Sequence, residues 1–110
     1  MDYFDNKFYK REKRIRRNYE IDDSLYTRLE EYSTIYEASV ADLINACIEN
    51  LINNDNGDIT VYEKDEREIS VLHTILIRES NIKGLDTLKD KYGLSIYKLV
   101  NIAIKSTLEE

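Results

Sequence analysis

The chain has 110 residues and a formal net charge of −6, because 16 Lys and Arg stand against 22 Asp and Glu. With 42% apolar residues it can bury a core, and the absence of Trp and Pro together with only 3 Gly favours helices over a turn-rich all-β fold. One Cys and one His exclude an intrachain disulfide framework and the common zinc motifs. No apolar run approaches the ~18 residues of a membrane span, and no apolar signal segment is found near the start. We therefore expect a cytoplasmic protein without membrane contact.

Charge is unevenly distributed along the chain. Residues 1–17 hold seven cations and three anions, a balance of +4, which leaves −10 for residues 18–110. A basic segment on an acidic body is typical of a localised contact with a polyanion, although a solvated tail without a partner would have the same composition. Nucleic acid is therefore a hypothesis for this segment. The cations expected to contact phosphates are Lys7, Lys10, Arg11, Lys13 and Arg14.

The chain contains an internal repeat. When it is shifted by 56 residues, residues 19–52 lie over residues 75–108 without a gap, and eight pairs are identical. Most pairs follow the apolar spacing of helices, and the loop and helix caps match as well, which favours duplication over chance. The identical pairs are Ile21/Ile77, Ser24/Ser80, Leu29/Leu85, Tyr36/Tyr92, Ser39/Ser95, Leu43/Leu99, Asn45/Asn101 and Ile48/Ile104.

The first copy begins with an extended segment, residues 15–21. Here Tyr19 and Ile21 alternate with polar residues, as in a half-buried strand. Asp22 or Asp23 is the expected N-cap of a first helix, and a second helix follows. Their apolar stripes consist of Leu25, Leu29, Tyr32 and Tyr36 in the first helix, and of Val40, Leu43, Ile44, Cys47, Ile48, Leu51 and Ile52 in the second.

The caps and corners repeat between the copies. Ser39 is the expected N-cap of the second helix, with Asp42 three residues later as in a capping box. In the second copy, residues 73–77 are the strand candidate, Gly93 is expected to end a helix in the left-handed conformation, and Ser95 caps the last helix. The inward residues there are Leu85, Leu88, Tyr92, Ile96, Leu99, Val100, Ala103, Ile104 and Leu108.

This order of one strand and two helices joined at a Gly-x-Ser-type corner resembles the ribbon-helix-helix family of MetJ/Arc-type DNA-binding proteins. The first copy has Glu37 where the family usually has Gly. The residues that carry the resemblance are 19–25, Leu29, 39–44 and Ile48 in the first copy, and Ile75, Ile77, Leu85, 93–95, Leu99, Val100 and Ile104 in the second.

The resemblance implies a mainly α fold with short β-strands, a tandem ribbon-helix-helix in the order β-α-α-linker-β-α-α. Two strands would pair antiparallel into a two-stranded ribbon over interlocked helices. The expected division of the chain is a basic, partly flexible arm at residues 1–13, a first unit at 14–53, an acidic linker at 54–70 and a second unit at 71–110.

Pairing of two units is also expected on physical grounds. A unit of roughly 40 residues cannot bury enough apolar surface alone, and its single strand has no hydrogen-bonding partner. A linker of about 18 residues can span roughly 60 Å, so the two units can pair within one chain as a pseudo-dimer. Like units can equally pair between two chains. Because the outward faces of the two strands differ, the sequence slightly favours a homodimer.

A two-stranded ribbon fits the major groove of DNA, where the base edges are distinguishable. If Tyr19 and Ile21 point into the core, alternation sends Arg16, Asn18 and Glu20 outward. Arg can contact guanine, Asn adenine and Glu the cytosine amino group, whereas an ordinary solvated strand face is the alternative. The resemblance further implies that a phosphate is held by backbone N–H groups at the start of each second helix. These are Ser39, Val40 and Ala41, with Ser95 and Ile96 in the second copy.

The outward strand positions of the second copy are Leu72, Thr74 and Leu76, which suit a partner protein better than bases. Our leading hypothesis is a sequence-specific double-stranded DNA-binding protein, a transcriptional repressor associated with the nucleoid or a plasmid. One alternative is a plasmid partition or relaxosome accessory protein, and another is an antitoxin-like or scaffold module that binds protein without DNA. No catalytic constellation, metal cluster or cofactor motif is recognisable, so we expect neither enzyme activity nor a cofactor.

Overall fold

The computed structural model describes residues 12–55, 57, 59 and 67–109. These residues form two copies of a β-α-α unit, in which each strand leads directly into the first helix of its unit. Within this part of the chain, none of the helices has the length and apolar character needed to cross a membrane. The elements are β1 (Arg14–Asp22), α1 (Asp23–Tyr36), α2 (Val40–Asn53), β2 (Ser70–Arg78), α3 (Glu79–Tyr92) and α4 (Ile96–Leu108).

The predicted fold class, a tandem ribbon-helix-helix with short strands, has to be corrected. The described chain is mainly helical with one two-stranded antiparallel sheet, and each strand has 9 residues, more than the apolar alternation indicated. The strands are longer because backbone hydrogen bonds continue past the apolar positions. The N–H of Asp23 donates to the carbonyl of Ile69 at 2.8 Å, and the N–H of Glu79 donates to that of Lys13 at 3.0 Å. The fold is a tandem β-α-α arrangement.

The sheet is completed within one chain, because β1 pairs with β2. The slight preference of the sequence for pairing between two chains does not describe this arrangement. The register places Asn18 opposite Thr74, and these two positions are related by the 56-residue offset of the repeat. A pseudo-two-fold axis therefore passes between them. Thr74 Oγ1 donates a hydrogen bond across the axis to Asn18 Oδ1 at 2.7 Å.

The core lies between the inner face of the sheet and the four helices. Tyr19, Ile21, Ile75 and Ile77 contribute from the strands, and α2 packs against both α3 and α4. Most of the largest fully buried apolar side chains occupy equivalent positions in both units, as the repeat predicts. They are Ile21, Leu29, Ile44 and Ile48 in the first unit and Ile77, Leu85, Val100 and Ile104 in the second. Leu99 is fully buried as well, whereas its equivalent Leu43 is half-buried.

One predicted core position is wrong. Tyr36 was placed on the apolar stripe of α1, but it is 66% exposed, whereas its equivalent Tyr92 is half-buried. The difference arises from the segment after α2, where Asp55 accepts hydrogen bonds from the Tyr92 hydroxyl and from Lys91 Nζ. The Lys91 bond, followed by the Tyr92 bond, lowers the pKa of Asp55 to about 2. Among the described residues, no segment covers Tyr36 in the same way.

Two asparagines fasten each unit to the strand of the other unit. Asn45 on α2 and Asn101 on α4 are equivalent in the repeat, and both are fully buried. Asn45 reaches the outer edge of β2, where its Nδ2 donates to the carbonyl of Leu76 at 2.9 Å and its Oδ1 accepts from the N–H of Arg78 at 2.9 Å. A side-chain amide thus takes the place that a neighbouring strand would have.

Asn101 does the same at the outer edge of β1. Its Nδ2 donates to the carbonyl of Glu20 at 3.0 Å, and its Oδ1 accepts from the N–H of Asp22 at 2.9 Å. A two-stranded sheet leaves one row of backbone groups unpaired on each edge, and buried groups of this kind need partners. The two amides supply these partners and fix both strands relative to the helices.

The corners between the two helices of each unit share one backbone conformation. Gly93 adopts the predicted left-handed conformation with φ 66°, and Glu37 adopts it as well with φ 53°. The predicted N-caps after the corners are confirmed, since Ser39 Oγ accepts from the N–H of Asp42 at 3.0 Å and Ser95 Oγ from that of Lys98 at 3.2 Å. Glu37 therefore holds a conformation that is strained for a residue with a Cβ atom.

Opposite substitutions at the two corners test this strain. Glu37→Gly should raise the free energy of unfolding by about 0.5–1 kcal/mol, because relief of the left-handed strain exceeds the added entropy of the unfolded chain. Gly93→Ala should lower it by about 1 kcal/mol. A Cβ atom at Gly93 would meet no atom within 4 Å, so that loss reports backbone conformation alone. Urea denaturation measures both changes, and changes of the same sign would contradict the assignment.

Removal of one cross-unit amide tests its contribution to the sheet. Asn101→Ala should lower the free energy of unfolding by about 3 kcal/mol, because it leaves two backbone groups of β1 without partners. Asn53→Ala, at an exposed position of α2, is the control and should change stability by less than about 0.5 kcal/mol. A loss of under about 1 kcal/mol for Asn101→Ala, again by urea denaturation, would show that the sheet does not depend on this amide.

Candidate nucleic-acid interface

The sheet presents one face to solvent, which we call the outer face. Residues paired across an antiparallel sheet lie on the same side, so the central part of the outer face consists of three cross-strand rows. The side chains in these rows are exposed, whereas Tyr19 and Ile21 on the other side are buried, which confirms the orientation derived from the alternation. The rows are Arg16 with Leu76, Asn18 with Thr74, and Glu20 with Leu72.

One end of the sheet is rich in cations, and we call it the basic end. Arg14 lies opposite Arg78 there, and each forms an ion pair with α2. Arg14 Nη1 lies 2.8 Å from Asp42 Oδ1, and Arg78 Nη1 lies 3.2 Å from Glu49 Oε2. The bond from Arg14 lowers the pKa of Asp42. The basic end comprises Lys13, Arg14, Arg16, Arg17 and Arg78.

Arg16 differs from the two paired arginines. No carboxylate of the described residues lies within ion-pair distance of it, and its side chain is exposed on the outer face. A guanidinium in this state has its donors available for an external acceptor. Arg16 is therefore the cation of the outer face that is best placed to contact a ligand.

The opposite end of the sheet carries acidic residues, and we call it the acidic end. Glu20 is exposed there, whereas Asp22 is fully buried. The Asp22 carboxylate accepts hydrogen bonds from Ser70 Oγ at 2.9 Å and from the Tyr97 hydroxyl at 2.6 Å. Burial, followed by the bond to Asp22, raises the pKa of Tyr97. Asp22 precedes α1 as predicted, but its side chain makes no capping bond because it joins the strands to α4 instead.

The predicted phosphate contacts at Ser39, Val40 and Ala41 lie at the N-terminus of α2. The first turn of this helix also contains Asp42, whose carboxylate disfavours an anion there. The ion pair with Arg14 offsets part of this negative charge. The equivalent turn of α4 has no acidic residue and carries the exposed Lys98. The N-terminus of α4, which begins after Ser95, is consequently the more favourable of the two for a phosphate.

Most of the basic arm lies outside the described residues. Lys7, Lys10 and Arg11, predicted to contact phosphates, lie outside the described residues. Lys13 is exposed at the basic end, and its carbonyl is bonded to the start of α3. Lys13 thus adds its charge to that of Arg14 and Arg16 at the basic end.

The leucines of β2 point outward as predicted, and they are exposed. Leu72 is 60% exposed and Leu76 is 46% exposed, and Val71 and Ile69 lie close to Leu72 along the chain. Thr74, between the two leucines, is engaged with Asn18. Exposed leucines on one strand can contact thymine methyl groups in a major groove or the apolar surface of a protein.

Three contributors to the site were not predicted as such. From the sequence, Asn45 and Asn101 were recognised only as an identical pair of the repeat. A polar residue at an equivalent buried position in both copies indicates a structural hydrogen bond. Lys98 follows the capping serine of α4 at the position of Asp42 in the repeat, and only that comparison could have indicated it.

Comparison of the chain with protein-family models, with curated proteins and with solved structures finds no match.

Proposed function

We propose that this protein binds double-stranded DNA in a sequence-specific manner, with the outer face of the sheet in the major groove. The observation that carries the proposal is the exposure of Arg16, Asn18 and Glu20 side by side on a two-stranded antiparallel sheet. A major groove about 12 Å wide admits such a sheet. Each of the three side chains has a matching base edge: guanine for Arg, adenine for Asn and the cytosine amino group for Glu.

The support of the sheet favours this function. Asn45 and Asn101 hold the outer edges of the two strands against the helices, so that the outer face does not depend on a second chain for its shape. Base recognition requires donors and acceptors at fixed positions, because a small displacement loses the hydrogen bonds. A sheet fastened at both edges meets this requirement.

The distribution of charge supports contact with DNA at one place only. The chain as a whole has a net charge of −6, which repels phosphates over most of its surface. The basic end lies at one end of the sheet, where phosphates that flank a major groove would be contacted. A transcriptional repressor is the simplest protein of this kind, since it needs a DNA-binding surface and no catalytic group.

A protein-binding module is the second candidate function. The exposure of Leu72 and Leu76 favours it, because exposed apolar side chains on a sheet are common at interfaces between proteins. The two candidates differ in their response to salt. Binding of random duplex DNA that weakens steeply between 50 and 200 mM salt, as is typical of phosphate neutralisation, would support DNA binding. No binding to any duplex at about 50 mM salt would favour the protein-binding module.

Substitution of adjacent arginines separates base recognition from phosphate attraction. Arg16→Ala should weaken binding of the selected duplex by about 1–3 kcal/mol and leave random duplexes nearly unaffected, and Asn18→Ala should do the same. Arg17 is exposed on the same strand but does not belong to the outer face, so Arg17→Ala is the matched control. It should weaken all duplexes alike and lower the salt slope by about one unit.

The measurement is a paired titration of selected and random duplexes at several salt concentrations, with circular dichroism of each variant to confirm folding. Stability should change little, because these side chains are exposed. If Arg16→Ala and Asn18→Ala leave the ratio of specific to random affinity unchanged, the outer face is not the recognition surface and the proposal fails.

A further inference from the structure

We infer that a single chain recognises an asymmetric DNA site and binds it in one orientation, with the basic end of the sheet over a guanine. This inference rests on the proposed function and adds to it the symmetry and polarity of the target. It follows from the way in which the pseudo-two-fold axis relates chemically different residues.

The axis passes between Asn18 and Thr74, so it exchanges the two strands. In a sheet made from two identical strands, every outward residue would face its own copy across such an axis, and the matching DNA site would be a palindrome. Here the axis relates Arg16 to Leu72 and Glu20 to Leu76. The backbone is nearly symmetric while the side chains are not.

Each row of the outer face therefore has its own preference. In the row at the basic end, Arg16 presents paired donors that suit guanine O6 and N7, and Leu76 beside it suits a thymine methyl group. In the row at the acidic end, Glu20 can only accept and suits the cytosine amino group, with Leu72 beside it. The two rows therefore differ in the bases that they suit.

The central row adds polarity at the axis itself. Thr74 Oγ1 donates to Asn18 Oδ1, which occupies one of the two lone pairs of that oxygen. Asn18 keeps its Nδ2 donors and the second lone pair, the combination that adenine N7 and N6 require. Because the bond from Thr74 fixes the amide on the β1 side, the adenine is recognised on one strand of the duplex.

Reversed binding is disfavoured because it loses or mismatches the base contacts. Rotation of the protein by half a turn about the axis would place Leu72 where Arg16 contacted guanine O6 and N7, so that these acceptors lose their donors. It would place the Glu20 carboxylate where Leu76 contacted a thymine, whose O4 is itself an acceptor. It would also move the basic end away from its phosphates. The two orientations on an asymmetric site are therefore unequal in affinity.

The first experiment selects duplexes from a random library with the purified full chain at moderate salt. The expected result is one non-palindromic motif with a guanine toward one end. The selected duplex should bind at least about tenfold more tightly than palindromes built from either of its halves, since one good base contact contributes this much.

The second experiment determines the orientation. Lys13→Cys combined with Cys47→Ala allows an iron chelate that cleaves DNA to be attached at the basic end, and Ala is the residue that the repeat has at the equivalent position 103. Cleavage is expected at the guanine end of the motif only. The exchange Arg16→Leu with Leu72→Arg in the same background should move the guanine to the end remote from the cleavage.

The outcomes separate the inference from the proposed function. A palindromic motif, cleavage at both ends, or a motif unchanged by the exchange would overturn the inference while DNA binding stands. No enriched motif together with no binding at low salt would overturn both. Circular dichroism and urea denaturation of the exchanged variant establish that it is folded. Arg16→Leu alone provides an independent test, because the selected motif should then contain no preferred guanine at either end.

Discussion

The hydrogen bonds of Asn45 and Asn101 to the outer edges of the sheet are the interaction on which the rest of the structure depends. A two-stranded sheet is marginal by itself, because each strand leaves half of its backbone groups unpaired. Each amide comes from a helix of the other unit, so neither unit has a complete sheet or a complete core alone. The outer face inherits its fixed geometry from bonds made at the two edges of the sheet.

The sequence predicted the elements and the direction of the strand side chains well, because both depend on local periodicity. Alternation around Tyr19 and Ile21 orients β1, and the capping serines mark the start of α2 and α4. The strand ends were not predicted, since they depend on backbone bonds to the other unit. The prediction for Tyr36 was wrong for a similar reason. Its burial depends on whether another segment covers it, and helical spacing carries no information about such a segment.

Prediction of the candidate site was more limited. The alternation along β1 is enough to place Arg16, Asn18 and Glu20 on the outer face. Their partners across the sheet could be identified only from the register. Asp22 looked like an ordinary cap, and only the tertiary structure shows that its carboxylate joins Ser70 and Tyr97. The pattern is general: spacing along one element is local, whereas a contact between the two units of the repeat is not.

The covalent link between β1 and β2 also changes how folding responds to dilution. Two separate chains that must pair in order to fold lose their structure as their concentration falls, because association is part of their folding equilibrium. Here the second strand is always held near the first by the intervening chain, at an effective concentration that dilution does not alter. Folding is thus unimolecular, and a protein present in very few copies per cell would keep its sheet intact. The same link lets the two strands diverge in sequence, because pairing within the chain is favoured over pairing between two β1 strands or two β2 strands of different molecules.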